Sequence, residues 1–216
     1  RHGEAARHIH DIRHAAERAS SLTTQLLAYS RRQVLVPEVF PVNEAITSVH
    51  AMLRRIIGED VAIETHLSPE NPHIRVDRAR FEQIIMNLAT NARDAMPDGG
   101  TFSVGSHAVT IGEGRRDVAR EIAPGRYVVL EVADSGVGMD RATSERIFDP
   151  FFTTKPIGRG TGLGLASVYG TVTQSDGYIS VSSRPGEGTT FSIYLPSRLP
   201  AVTPDSGPDA DEAEGC

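Results

Sequence analysis

Apolar and polar positions alternate along this chain with two different periods, and the change of period divides it into segments. Between Glu4 and Gln33 there is no Gly or Pro, and Ile12, Ala15, Ala19, Leu22, Leu26 and Tyr29 recur three and four residues apart. That spacing predicts one long helix with an apolar seam, which needs a partner helix to bury it. Pro37 and Pro41 end this segment. From residue 39 to 196 the pattern becomes mixed. Asn43 is the expected N-cap of a helix running through Ile57 and stopped by Gly58. Residues 61–67 alternate as a strand, and Asp77 opens a second helix reaching Met96, ahead of Pro97 and Gly99-Gly100. Strands are predicted over 102–109, 127–133, 178–183 and 190–195, with a helix near 165–173. The last two strands are separated by the turn sequence Arg184-Pro-Gly-Glu-Gly188, and no internal repeat is evident.

The helix opened by Asp77 carries two stripes. Phe81, Ile84, Ile85, Leu88, Ala92 and Ala95 form an apolar face suited to packing on a sheet. Gln83, Asn87, Asn91 and Asp94 form a polar stripe roughly a third of a turn away, at about 100° per residue. A row of amides beside a core face is costly unless something polar meets it. An Asn side-chain oxygen is a suitable ligand for Mg²⁺, which bridges to phosphate oxygens and keeps several waters.

Three further motifs follow. The apolar run 128–133 ends in Asp134-Ser-Gly-Val-Gly138. A carboxylate held at a strand end can accept a hydrogen bond from an adenine amino group, while Gly136 and Gly138 let the backbone approach the ring. Gly158-Arg-Gly-Thr-Gly-Leu-Gly164 runs into a helical pattern, so backbone N–H groups and the positive end of a helix dipole face whatever lies before it, an arrangement suited to phosphates. It lacks the Gly-Lys-Ser/Thr ending of a Walker A loop and follows a loop rather than a strand, unlike a dinucleotide fingerprint. Between these motifs, Phe148-Asp-Pro-Phe-Phe152 reads as a lid pinned by Phe148, Phe151 and Phe152, from which Lys155 and Arg159 reach the phosphates.

Composition narrows the remaining choices. The 216 residues carry a formal charge of −6, with 39% hydrophobic residues and no Trp. Five acids, Asp205, Asp209, Asp211, Glu212 and Glu214, lie in the stretch after Pro200, which contains no base; the rest carries about −1. No basic field for nucleic acid is present, and residues 199–216 read as a disordered acidic tail or linker. The single cysteine, Cys216, forms no intrachain disulfide, which suggests a cytoplasmic setting. No run of about 18 apolar residues is found, so no direct membrane contact is expected of this chain. Because it opens on Arg-His-Gly, it reads as part of something longer that could be anchored upstream.

The order Asn87-x-x-x-Asn91, Asp134-x-Gly-x-Gly138, Phe148-Asp-Pro-Phe-Phe152, Gly160-Thr-Gly-Leu-Gly164 and Gly186-x-Gly-Thr189 resembles the catalytic ATP-binding domain of bacterial sensor histidine kinases. Asn91-Ala-Arg-Asp-Ala-Met96 and the Phe box resemble the nitrogen-regulator and hybrid-kinase branches. Ala16-Glu-Arg-Ala19 and Leu26-Leu-Ala-Tyr-Ser-Arg-Arg-Gln33 look like the second helix of that family's dimerisation and phosphotransfer hairpin. The resemblance implies an α+β fold, a Bergerat-type α/β sandwich with a mixed sheet backed by helices, preceded by one long helix. The implied domains are 1–36, half of the hairpin; 37–198, the catalytic domain; and 199–216, the tail. It implies ATP and Mg²⁺ as ligands, homodimerisation through the N-terminal helix, and a response-regulator receiver domain as partner. Asn87 would ligate Mg²⁺, with Asn91 and Asp94 near the phosphates and Gln83, Lys155 and Arg159 also in the catalytic set. Asp134 would read adenine over Gly136 and Gly138, with Phe148 in the lid. Gly160, Thr161, Gly162, Leu163 and Gly164 would wrap the phosphates, and Thr189 would lie close to the base.

Two departures bear on activity. His10-Asp-Ile-Arg13 resembles a phosphoacceptor motif but sits in the same helix as the Ala16–Gln33 pattern, so the acceptor is expected elsewhere, with His10 and His14 as surface helix residues. ATP hydrolases of the same fold, such as type II topoisomerases and mismatch-repair ATPases, place a carboxylate one turn before the metal-binding Asn. Here that position is Gln83, which is no general base, and Glu82 points about 100° away. The remaining alternative is a nucleotide-sensing module without turnover.

Overall fold

The computed structural model describes residues 36–112, 122–156 and 160–198. The expected N-terminal helix, the acidic tail and Arg159 lie outside the described residues. In chain order the elements are β1 (Glu38–Pro41), α1 (Val42–Ile57), β2 (Val61–His66), β3 (His73–Val76), α2 (Arg78–Ala95), β4 (Gly100–Ile111), β5 (Gly125–Asp134), α3 (Arg141–Ser144), α4 (Gly164–Gln174), β6 (Tyr178–Arg184) and β7 (Gly188–Arg198). The strands form one seven-stranded sheet in the order β1-β3-β7-β5-β4-β2, with β6 also paired to β7. Only β2 and β4 run parallel; the other pairs are antiparallel.

Strand alternation decides how the layers meet. Val128, Leu130 and Val132 of β5 and Phe191, Ile193 and Leu195 of β7 turn to one face, where Ile46, Val49 and Leu53 of α1, Phe81, Ile85 and Leu88 of α2, and Val168 and Val172 of α4 cover them. The opposite face carries a smaller cluster of Ile111, Tyr127, Val129 and Tyr194. This is the expected α+β sandwich of a mixed sheet backed by helices.

The apolar stripe of α2 is buried as its period requires, with two adjustments: Ala95 is only half-buried, and Ala89 is fully buried in its place. Asp77 is the N-cap, accepting the Arg80 N–H at 3.1 Å. Asp77→Ala is therefore expected to cost about 1 kcal/mol of stability, read as a lower chemical-denaturation midpoint with an unchanged slope.

Asn43 does not cap α1. The helix begins one residue earlier, its first N–H donating to the Pro72 carbonyl at 2.9 Å. Asn43 instead bridges two loops and a strand, donating to the Ser68 carbonyl at 2.7 Å and accepting from Ser106 Oγ at 2.6 Å. A long-range partner outcompetes the local cap because the half-buried amide would otherwise lose both its bonds. β1, β3 and α3 have no clear signature in the sequence, since four residues are too few to establish a period.

Candidate functional site

Three segments distant in sequence converge on the polar stripe of α2. Asn87, half-buried, donates from Nδ2 to the carbonyl of Gly164 at 3.3 Å, which ties the middle of α2 to the first residue of α4. Its Oδ1 accepts from Gln83 Nε2 at 2.9 Å, which orients the amide. One to two turns further along the helix, Lys155 from the lid donates to Asn91 Oδ1 at 3.2 Å and forms an ion pair with Asp94 Oδ2. Gln83, Asn87, Asn91, Asp94, Lys155 and Gly164 are thus brought to one place.

The start of α4 has the character of an anion site. Its N-cap residue is Leu163, with no side chain capping the first turn. Leu163 N–H leans weakly on Thr161 Oγ1 at 3.4 Å, and Gly160 packs against Thr153 and Lys155. Gly162 has φ +66°, and a side chain there would strike the Phe151 carbonyl, whose own N–H donates to the Gly162 carbonyl at 2.9 Å. The glycine loop and the Phe box are therefore stitched together through the backbone.

The lid aromatics do not act alike. Phe148 packs on Tyr169 of α4 with ring centroids 5.4 Å apart, and Phe152 lies under the Arg146 guanidinium at 4.4 Å. Phe151 is 65% exposed with φ +68°, so it does not pin the lid as the sequence suggested. Its side chain is turned outward by the left-handed backbone that the Phe151–Gly162 bond demands.

At the other end of the site, Asp134 closes β5 opposite Thr189 of β7. Its Oδ1 accepts the Gly136 N–H at 2.9 Å. Burial pushes the Asp134 carboxyl above its ordinary value, and the N–H groups of Gly136 and Thr189 oppose that rise. Gly138 has φ +64°, and a Cβ would sit 1.9 Å from the Arg184 carbonyl, so the turn after Asp134 lies flush against the end of β6. Thr189 is buried and shares a 3.0 Å hydrogen bond with Ser183 Oγ, which also accepts the Met139 N–H at 2.8 Å. Ser183 and Tyr169 hold this site together, yet neither stands in a motif. Their only sequence signal is a polar or aromatic residue at an inward position of its element.

The donor set suits Mg²⁺. No group of three or more His, Cys, Asp or Glu residues that could hold a metal occurs among the described residues. What the site offers is a half-buried amide oxygen on Asn87, with Asn91 and Asp94 further along the same stripe. A hard cation that takes few protein ligands and completes its shell with phosphate oxygens and water fits that supply.

The residues that would activate water are occupied otherwise. Glu82 Oε1 accepts from Arg78 Nε at 3.3 Å and from Ser48 Oγ at 3.0 Å, on the α1 side of the helix. Lys155→Ala is expected to weaken ATP binding about tenfold, or roughly 1.4 kcal/mol, by isothermal titration. Its loss should barely move the melting temperature, because an exposed ion pair contributes only about 0–1 kcal/mol.

Residues 76–199 match the sequence family described as histidine kinase-, DNA gyrase B- and HSP90-like ATPase. The chain belongs to this family. Among curated relatives, it is 41% identical over 202 residues to the sensor kinase CckA of Brucella abortus, covering 94% of this chain and 21% of that protein. It is 30% identical over 203 residues to the sensor histidine kinase ZraS of Escherichia coli K12, covering 94% of this chain and 40% of that protein. It therefore spans about a fifth to two fifths of these relatives. Among solved structures, the mycobacterial sensor histidine kinase MprB aligns with a TM-score of 0.59 at 26% identity, over 76% of this chain and 99% of that one. Full-length ShkA in complex with AMPPNP aligns at 0.67 over 88% of this chain and 38% of that one; at 24% identity it supports the fold alone. The family match makes this an ATP-binding domain, and the relatives place it among sensor histidine kinases rather than gyrases or HSP90.

Proposed function

We propose that this chain is the catalytic core of a sensor histidine kinase, binding Mg²⁺–ATP and presenting its γ-phosphoryl group to an imidazole on a separate helix. The bond from the γ-phosphorus to the ADP oxygen breaks, a P–N bond to the imidazole forms, and the imidazole proton leaves. The observation that carries this reading is the meeting of α2's amide stripe, the lid Lys155 and the start of α4 through Asn87–Gly164 and Lys155–Asn91. The engagement of Glu82 elsewhere favours transfer over hydrolysis.

Each group has a part in positioning and electrostatics, the means by which phosphoryl transfer is catalysed. Asp134 accepts the adenine amino group, over the Gly136–Gly138 turn and beside Thr189. Asn87 offers its Oδ1 as the metal ligand, and Gln83 keeps it aimed. Mg²⁺, when bound, bridges phosphate oxygens and neutralises charge developing on them. Lys155 exchanges Asn91 and Asp94 for the phosphates. The N–H groups at the start of α4, with Gly160, Thr161 and Gly162 before them, hold the triphosphate. Arg159, outside the described residues, has a phosphate role by resemblance alone. In the full-length protein the phosphoryl group passes to a receiver domain, dimerisation runs through the helix of residues 1–36, and the setting is cytoplasmic. ThkA, a structural neighbour, was solved in complex with the response regulator TrrA.

The experiment is incubation with Mg²⁺ and γ-labelled ATP. Tight nucleotide binding with slow phosphate release and no label on the chain is expected of a core without its acceptor. Acid-labile label that disappears in His10→Ala would place the acceptor on this chain. Rapid release of free phosphate would make it a hydrolase and overturn the proposal.

A further inference from the structure

On the edge of the domain away from Asp134, the start of α2, the end of α4 and the last residues of β7 enclose a concave site of about 100 Å³. Arg75, Arg80 and Arg198 line it, together with Asp77, Gln174 and Asp176. None of the three guanidiniums makes a side-chain hydrogen bond or ion pair among the described residues. Asp77 is already engaged by the N–H groups of Arg80 and Val36. Asp176 sits exposed at the turn after α4, with φ +55°. Three cations gathered in one hollow without partners repel each other, and an anionic occupant relieves that repulsion.

The chain supplies one. Arg198 is on the wall of the hollow, and the residues after it, 199–216, contain five acids and no base. The first acid, Asp205, lies seven residues beyond Arg198, within reach of roughly 25 Å of extended chain. A tether this short holds the acids at an effective concentration of about millimolar, enough for individually weak ion pairs to add up. We propose that the acidic segment 205–214 docks in the Arg75–Arg80–Arg198 hollow as an intramolecular ligand. Docked there, it ties the first turn of α2 to the last turn of α4, the two helices whose other parts carry Asn87 and Gly164. The proposal stands independently of the kinase reading.

Cys216, the only cysteine in the chain, allows the test on the whole protein. A nitroxide placed on Cys216 broadens the amide resonances of residues it approaches. The control is the same labelled chain with Asp205→Asn, Asp209→Asn, Asp211→Asn, Glu212→Gln and Glu214→Gln, which keeps the tether and removes its charge without touching the folded domain. Loss of the Arg75, Arg80, Gln174 and Asp176 amide signals is expected with the acidic segment. They should return in the amide variant, in Arg75→Glu combined with Arg198→Glu, and in about 1 M salt, where the screening length falls to about 3 Å. Equal broadening with acidic and amide segments would mean a free tether and overturn the proposal. Broadening centred on another basic surface, or arising only from a second labelled copy mixed with unlabelled chain, would overturn it as well.

Discussion

Asn87→Ala is expected to abolish the Mg²⁺-dependent part of ATP affinity and to lower phosphotransfer to a supplied acceptor about a hundred- to a thousandfold. Removing the amide takes away the metal ligand and the Nδ2 bond to the Gly164 carbonyl together, so the phosphate loop also loses its tie to α2. The two effects separate experimentally. Titration with ATP in excess chelator reports only the loop, and titration in Mg²⁺ reports loop and metal. Equal losses in both would mean that Asn87 positions the loop and holds no metal. Gln83→Ala should produce a milder version of the same phenotype, because it leaves the ligand in place and removes only the bond that aims it.

Asp134→Asn is expected to weaken adenine-nucleotide binding by about 2–3 kcal/mol, or roughly 30- to 150-fold, because an amide that presents N–H to the adenine amino group replaces a charged acceptor. The same change should leave the melting temperature unchanged or slightly higher. The carboxyl's pKa is raised in the folded state chiefly by burial. The protonated form is therefore the one the fold favours. The stability this group contributes is present below its ordinary value near 3.8 and is lost as pH rises through the raised value. At neutral pH the carboxylate is held against the preference of its surroundings, as recognition sites often require. Nucleotide affinity should fall on acidification at a higher pH than an ordinary Asp would give, and that acid limb should vanish in Asp134→Asn. An affinity profile with the same acid limb in both proteins would remove Asp134 from the base contact.

Much of this fold was legible because the relevant interactions are local. Phe81, Ile84, Ile85 and Leu88 mark a buried helix face by their spacing, and Asp77 marks its start by the cap it makes three residues on. Val128, Leu130 and Val132 mark an inward strand face in the same way. The glycine and aspartate motifs were legible for a related reason: a positive φ at Gly138 or Gly162 is a property of the residue itself.

Other features depended on which surfaces meet. β1 and β3, four residues each, exist because they pair with each other and with the end of β7. Asn43 has the chemistry of a cap and became a bridge to Ser68 and Ser106, because those groups stand within reach only after folding. Phe151 has the composition of an anchor and faces outward, since its backbone is committed to Gly162. The approach of Lys155 to Asn91 and Asp94, of Asn87 to Gly164, and of Arg75 and Arg80 to Arg198 joins residues more than sixty positions apart. By itself, the sequence determined the periods, the caps and the backbone freedom from which each element is built, because those act between neighbours along the chain. Only the tertiary structure decided which polar groups share a site, because that depends on how the helices lie across the sheet.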